Sequence, residues 1–96
     1  MARVDVSAAA AEDIARLKVT HRLPGDTNER IKRSLRSLSR FPRLGTLLEA
    51  GGWGGFRFVL GPWRWMVIVY EYDEDADRVV IVTVQDARSS QSPISR

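Results

Sequence analysis

Three arginines, Arg57, Arg64 and Arg88, stand within or at the end of segments with a β-pattern, where a guanidinium is either an ordinary surface charge or a group that holds an anion. A second set, Arg33, Arg36 and Arg40, recurs at helical spacing in residues 30–40, which also hold Arg30 and Lys32 and no acid. That stripe either binds nucleic acid or is the solvated back of an amphipathic helix. Thirteen of the fifteen basic side chains are arginine. A planar, permanently charged fork matches phosphate and carboxylate, which points to RNA, DNA or an acidic protein partner; high-GC coding produces the same bias without function. Arginine steadies charge but is a poor proton acceptor, so any proton-transfer chemistry needs another group.

Few candidates for that group exist. The sequence has no cysteine and one histidine, which excludes a thiol nucleophile, a disulfide scaffold and cysteine-ligated metal, and leaves a histidine-rich metal site hard to assemble. His21 falls near a helix end on the face of Ile14 and Leu17, with no evident partner for a ligand or triad role. Asp73, Glu74, Asp75 and Asp77 lack the length and spacing of a calcium loop and read as a solvated turn. Trp63 and Trp65 flank Arg64 at strand spacing, which puts both indoles on one face, either packed under the helices or free to stack on bases.

The elements that must position these groups follow from periodicity. Residues 3–7 alternate as a short strand, and Ser7 can cap a helix that begins in the alanine run and carries Ala10, Ile14, Leu17 and His21 on one face. Pro24-Gly25 is the expected stop. Asp26 and Glu29 have capping-box spacing, so a second helix starts at Thr27, buries Ile31, Leu35 and Leu38, and ends near Phe41 before Pro42. Residues 45–55, with four glycines around Trp53, read as a flexible connector and not as a phosphate-binding loop, since no Gly-Lys-Ser/Thr follows. Three β-segments then follow with short turns: Phe56–Leu60, Arg64–Tyr72 and Val79–Val84. The result is an α+β fold of order β-α-α-β-β-β, a helical hairpin packed on a small antiparallel sheet. Its organisation is expected to be one domain over residues 1–88 with a flexible serine-rich tail over 89–96.

Composition agrees with that class. Of 96 residues, 44% are hydrophobic and 28% charged, ordinary for a globular protein. The net charge of +3 divides into +6 for residues 1–70 and −3 for residues 71–96. The N-terminus lacks the apolar core of a signal peptide, and the longest apolar run falls far short of the ~20 residues of a spanning helix, so a cytoplasmic protein without membrane association is expected.

The element order, Phe41-Pro42-Arg43-Leu44-Gly45 after the second helix, and Phe56-Arg57-Phe58-Val59-Leu60 opening the meander are joined by Gly61-Pro62-Trp63-Arg64 leading into Val67-Ile68-Val69-Tyr70. With Val79 to Val84 and then Gln85-Asp86-Ala87-Arg88, the chain resembles the RelE/ParE superfamily of bacterial toxins from type II toxin–antitoxin systems over Val4 to Arg88. The resemblance implies a toxin neutralised by an acidic, partly disordered antitoxin. It further implies RelE-like inhibition of translation by ribosome-dependent, metal-independent mRNA cleavage without a cofactor, with Arg57, Arg64 and Arg88 as catalytic cations on the concave sheet face. The alternatives are a ParE-like inhibitor of DNA gyrase and a degenerate relative that only binds a partner. RelE-like enzymes place a tyrosine a few residues past the terminal arginine, where this chain has Ile94, and the histidine of other relatives is matched by Asp86 or Ala87. Candidates for the base are then Asp86, Glu49, Tyr70 and Tyr72.

Overall fold

In the computed structural model, which describes residues 1–49, 51–89 and 92–93, strand β1 spans Arg3–Val6. Ser7 then caps helix α1 (Ala8–Thr20), its Oγ accepting from the Ala10 N–H at 3.1 Å. The helix closes at His21, and Arg22, at φ 49°, turns the chain away before Pro24-Gly25 is reached. Helix α2 (Thr27–Arg40) buries Ile31, Leu35 and Leu38 as its periodicity requires, and ends at Phe41. The expected capping box does not form. Asp26 makes no cap bond because its carboxylate takes the Arg30 Nε at 3.0 Å; the Thr27 hydroxyl instead donates to the Pro24 carbonyl at 2.6 Å.

The remaining strands are β2 (Thr46–Leu47), β3 (Arg57–Leu60), β4 (Met66–Asp73) and β5 (Arg78–Asp86), in the sheet order β1-β5-β4-β3-β2. The three-strand antiparallel meander is present, and two features extend it. Strand β1 pairs in parallel with β5, which makes the sheet mixed, and β2 adds a two-residue edge on β3. Strand β4 starts at Met66 rather than Arg64. Pro62 has no N–H for a ladder, and a turn closes there through Met66 N–H to the Trp63 carbonyl at 3.0 Å and Gly61 N–H to the Met66 carbonyl at 2.9 Å.

Residues 66–70 of β4 are all buried. Met66, Ile68 and Tyr70 face α1 and α2 in the main core, with Val79, Ile81 and Val84 of β5. Val67 and Val69 face the other way, into a smaller cluster with Leu48, Trp53, Phe56, Phe58 and Val82. Burial on both faces accounts for an unbroken apolar run where a half-solvated strand would alternate. The cover on the second face comes from the glycine-rich segment, which folds back instead of acting as a loose connector. Leu48 N–H donates to the Phe56 carbonyl at 2.8 Å, a 3-10 turn spans Gly51–Trp53, and Gly51 and Gly55 take φ of +64° and +89° that a side chain would resist.

Polar contacts at two edges lock this arrangement. Strand β1 pairs with β5 only as far as Ile81, so the next groups on that edge need other partners. Ser7 donates to the Val82 carbonyl at 3.3 Å, and the buried Asp13 carboxylate accepts from the Thr83 hydroxyl at 2.6 Å and the Val84 N–H at 3.1 Å. At the opposite edge Gly45 N–H donates to the Tyr70 hydroxyl oxygen at 2.8 Å, and a Cβ at position 45 would lie 2.7 Å from both that oxygen and the Phe58 carbonyl. Gly45→Ala is therefore expected to lower the urea-unfolding free energy by about 1–3 kcal/mol through overpacking. Gly25→Ala, which meets nothing within 4 Å, is the near-neutral control. Asp13→Ala should cost about 1–3 kcal/mol by leaving buried donors unpaired; a midpoint equal to wild type would remove Asp13 from this role.

Candidate functional site

The register of β4 against β5 decides which predicted residues meet. Met66 lies opposite Asp86, and Ala87 N–H donates to the Trp65 carbonyl at 2.6 Å, so the chain entering β4 and the chain leaving β5 run side by side. Arg64 and Arg88 thus share one end of the sheet. Both are exposed. Arg64 sits in the turn before β4, and no acceptor among the described residues takes its guanidinium.

Arg57 is elsewhere. It lies opposite Tyr70 in the β3–β4 ladder, so it points to the same side of the sheet as Tyr70 and not to the Val67/Val69 face. Its guanidinium donates to the Arg43 carbonyl at 3.3 Å and the Gly45 carbonyl at 2.9 Å, which ties down the segment leading into β2. The three helix arginines are exposed but do not converge. Arg33 borders a depression with Asp26, Arg30 and Pro62, Arg36 rims an apolar groove beside β1, and Arg40 adjoins Phe41 and Arg43.

The site's least anticipated member is His21. Its Nε2 lies 2.8 Å from Asp86 Oδ2, a contact spanning 65 positions of sequence, and its Nδ1 lies 2.9 Å from the Thr20 hydroxyl. The ring stacks on Trp65 with centroids 4.2 Å apart and planes 13° from parallel. Trp63 lies beside Trp65 at 6.1 Å, and the Arg30 guanidinium sits over Trp63 at 5.7 Å. Both indoles pack against the helix-side core, the packing alternative of the sequence reading, though from a turn and not from a strand. The histidine lacked a visible partner in sequence because only the return of β5 beside the end of α1 supplies one.

Asp86 joins the cluster. Oδ1 accepts from Arg88 Nε at 3.1 Å and from the Arg88 backbone N–H at 2.9 Å, while Oδ2 accepts from Arg88 Nη2 at 3.0 Å and faces His21. Arg88, foremost, and His21 hold the Asp86 carboxyl well below the usual carboxylate range, against the opposing effect of burial. The same contact raises Arg88. An acid so weakly basic serves as an acceptor that orients its neighbours, not as a general base. The other sequence candidates fare no better. Tyr70 is fully buried, and burial pushes its hydroxyl up. Tyr72 donates to Asp77 Oδ1 at 2.8 Å beside the β4–β5 turn, far along the strand from Asp86, and that bond raises it. Glu49 is exposed in the loop after β2. Ile94 lies outside the described residues, as do positions 90, 91, 95 and 96 of the expected flexible tail.

No protein-family model matches the sequence, and a search of curated proteins finds no match. Solved structures do match in fold. The RelBE2 toxin–antitoxin complex from Mycobacterium tuberculosis aligns at 23% identity and TM-score 0.64, over 88% of this chain and 96% of that one. The intact E. coli RelBE toxin–antitoxin complex aligns at 18% identity and TM-score 0.63, over 93% and 100%. YafQ from E. coli aligns at 13% identity and TM-score 0.62, over 96% and 100%. Two helices on a five-stranded mixed sheet is thus the fold of RelE-type toxins, as the sequence resemblance implied.

Asp86 also makes stability depend on pH. Its folded-state pKa is depressed, so its contribution is complete above the ordinary carboxylate value of ~3.9 and is lost as pH falls below it. Asp86→Asn is expected to unfold at lower urea than wild type at about pH 5.5, with the gap narrowing toward about pH 2.5. A gap of the same size at both values would show that the carboxylate's charge is not what stabilises.

Proposed function

We propose that this protein is the toxin of a type II toxin–antitoxin pair and that it inhibits translation by cutting mRNA on the ribosome. The observation that carries this reading is the juxtaposition of the exposed Arg64 and Arg88 at one end of a sheet with the RelE-type fold. Phosphodiester cleavage develops charge on the phosphate oxygens, and two guanidiniums flanking one strand pair can meet it from two sides. Arg57, bound to backbone carbonyls, serves this reading by fixing the segment into β2 rather than by touching RNA. Arg33 extends the basic surface toward the Arg64 turn through Pro62, and Arg36 and Arg40 contribute only to the general field.

A partner fits a separate surface, at the β1 edge of the sheet. Ala2, Val4, Val6 and Leu35 line an apolar groove rimmed by Lys32 and Arg36, between the free edge of β1 and α2. An acidic amphipathic segment, the chemistry expected of the antitoxin, would bury its apolar side there and meet the two bases at the rim. The M. tuberculosis and E. coli neighbours are themselves toxin–antitoxin complexes.

Induced expression of the wild-type chain is expected to arrest growth and to produce mRNA ends inside translated codons. Arg64→Ala and Arg88→Ala should each slow cleavage on programmed ribosomes by about 100-fold without lowering the melting temperature appreciably. Intact mRNA with induction of the DNA-damage response would favour gyrase as the target. Unimpaired growth would refute the toxin reading.

A further inference from the structure

The arginines leave one role of an RNA-cleaving site unfilled, the transfer of a proton, and the structure offers a group for it that sequence spacing could not reveal. We propose that His21, oriented by Asp86, is the general base that takes the proton from the attacking ribose 2′-hydroxyl, while Arg88 on the same carboxylate meets the phosphate. This rests on the mRNA-cleavage reading above.

The geometry carries the assignment in three steps. First, Asp86 is ionised and can only accept, so the proton between it and His21 belongs to Nε2 of the ring. That fixes the tautomer: in the neutral ring, Nδ1 holds the free lone pair. Second, Nδ1 points not into the core but to the exposed Thr20 hydroxyl at 2.9 Å. Thr20 has an alternative acceptor in the Leu17 carbonyl at 3.5 Å, so a substrate hydroxyl can take its place at Nδ1 with little loss. Third, the ring cannot drift. Trp65 holds its plane by stacking, Asp86 holds its Nε2 edge, and the side chain is three-quarters covered, with 24% of its surface exposed. The charged groups around it are Asp86 at the end of β5 and, through that carboxylate, Arg88; from α2, Arg30 lies one indole further away, over Trp63.

The carboxylate that orients the imidazole is also the one that binds Arg88, with Arg88 Nη2 and His21 Nε2 on a single oxygen, Oδ2. The proton acceptor and a phosphate donor are therefore held at a set spacing by one side chain. In the reaction, Nδ1 takes the 2′-hydroxyl proton as the 2′-oxygen bonds to the adjacent phosphorus. The P–O5′ bond breaks, its electron pair leaving with the 5′-oxygen, which takes a proton from water. The products are a 2′,3′-cyclic phosphate and a 5′-hydroxyl, and His21 returns its proton to solvent.

The test is single-turnover mRNA cleavage on programmed ribosomes across pH, with the His21 ring titration followed independently by NMR. The wild-type rate should rise with pH along the His21 titration curve. His21→Gln should cleave about 100-fold more slowly or worse, lose that limb, and keep wild-type ribosome affinity. Added imidazole should restore part of the activity of His21→Gly, a rescue that a structural role would not show. A wild-type rate that is flat across the His21 titration, which needs no variant to fold, would overturn the assignment. So would a His21→Gln rate equal to wild type; in either case mRNA cleavage itself would stand. A wild-type protein that cuts no mRNA would overturn the assignment together with the reading on which it rests.

Discussion

Burial of β4 on both of its faces is the constraint from which the rest of this molecule follows. Five consecutive side chains, Met66 to Tyr70, need cover on two sides. The helical hairpin supplies one side, and the glycine-rich segment that carries Trp53 and Phe56 supplies the other. In a 96-residue chain this leaves little apolar surface for further layers. The ladder between β4 and β5 then does double duty as core and as positioning device. It brings Arg64, Trp65, Asp86 and Arg88 together although they enter from opposite directions.

That end of the sheet is electrostatically self-contained. Asp86 is the only carboxylate among the described residues that bonds His21 or Arg88, and it holds both. Because the pair with Arg88 is exposed on the arginine side, solvent and salt screen it more than they screen the contact with His21. The contact with His21 is more sheltered and spans the chain from α1 to the end of β5, so it fixes position. One carboxylate thus joins a solvent-screened contact to a sheltered one.

The fold was largely legible in the sequence because its signals are local. Ser7 before an alanine run, the Ile31-Leu35-Leu38 stripe and the strand-turn-strand spacing of the second half each specify an element through a few neighbouring residues. The misreadings share one physical source, competition from tertiary partners. Asp26 forms no cap because Arg30 claims its carboxylate, Arg64 leaves the strand because Pro62 closes a turn, and the glycines order because the second face of β4 needs cover. Asp13 went unnoticed on an otherwise apolar face; its role exists only once β1 stops short along β5.

By itself the sequence determined the two helices, the four longer strands, their order, the α+β class and a basic character built on arginine. Periodicity and the fixed charge of the guanidinium are properties of the chain at short range, and no packing alters them. Tertiary structure alone decided which arginines lie together. It set Arg57 on backbone carbonyls, left Arg64 without an acceptor among the described residues, and paired Arg88 with Asp86. It also gave His21 its carboxylate. A hydrogen bond across 65 positions depends on the register of β4 and β5 and on where α1 ends, and no local spacing encodes either.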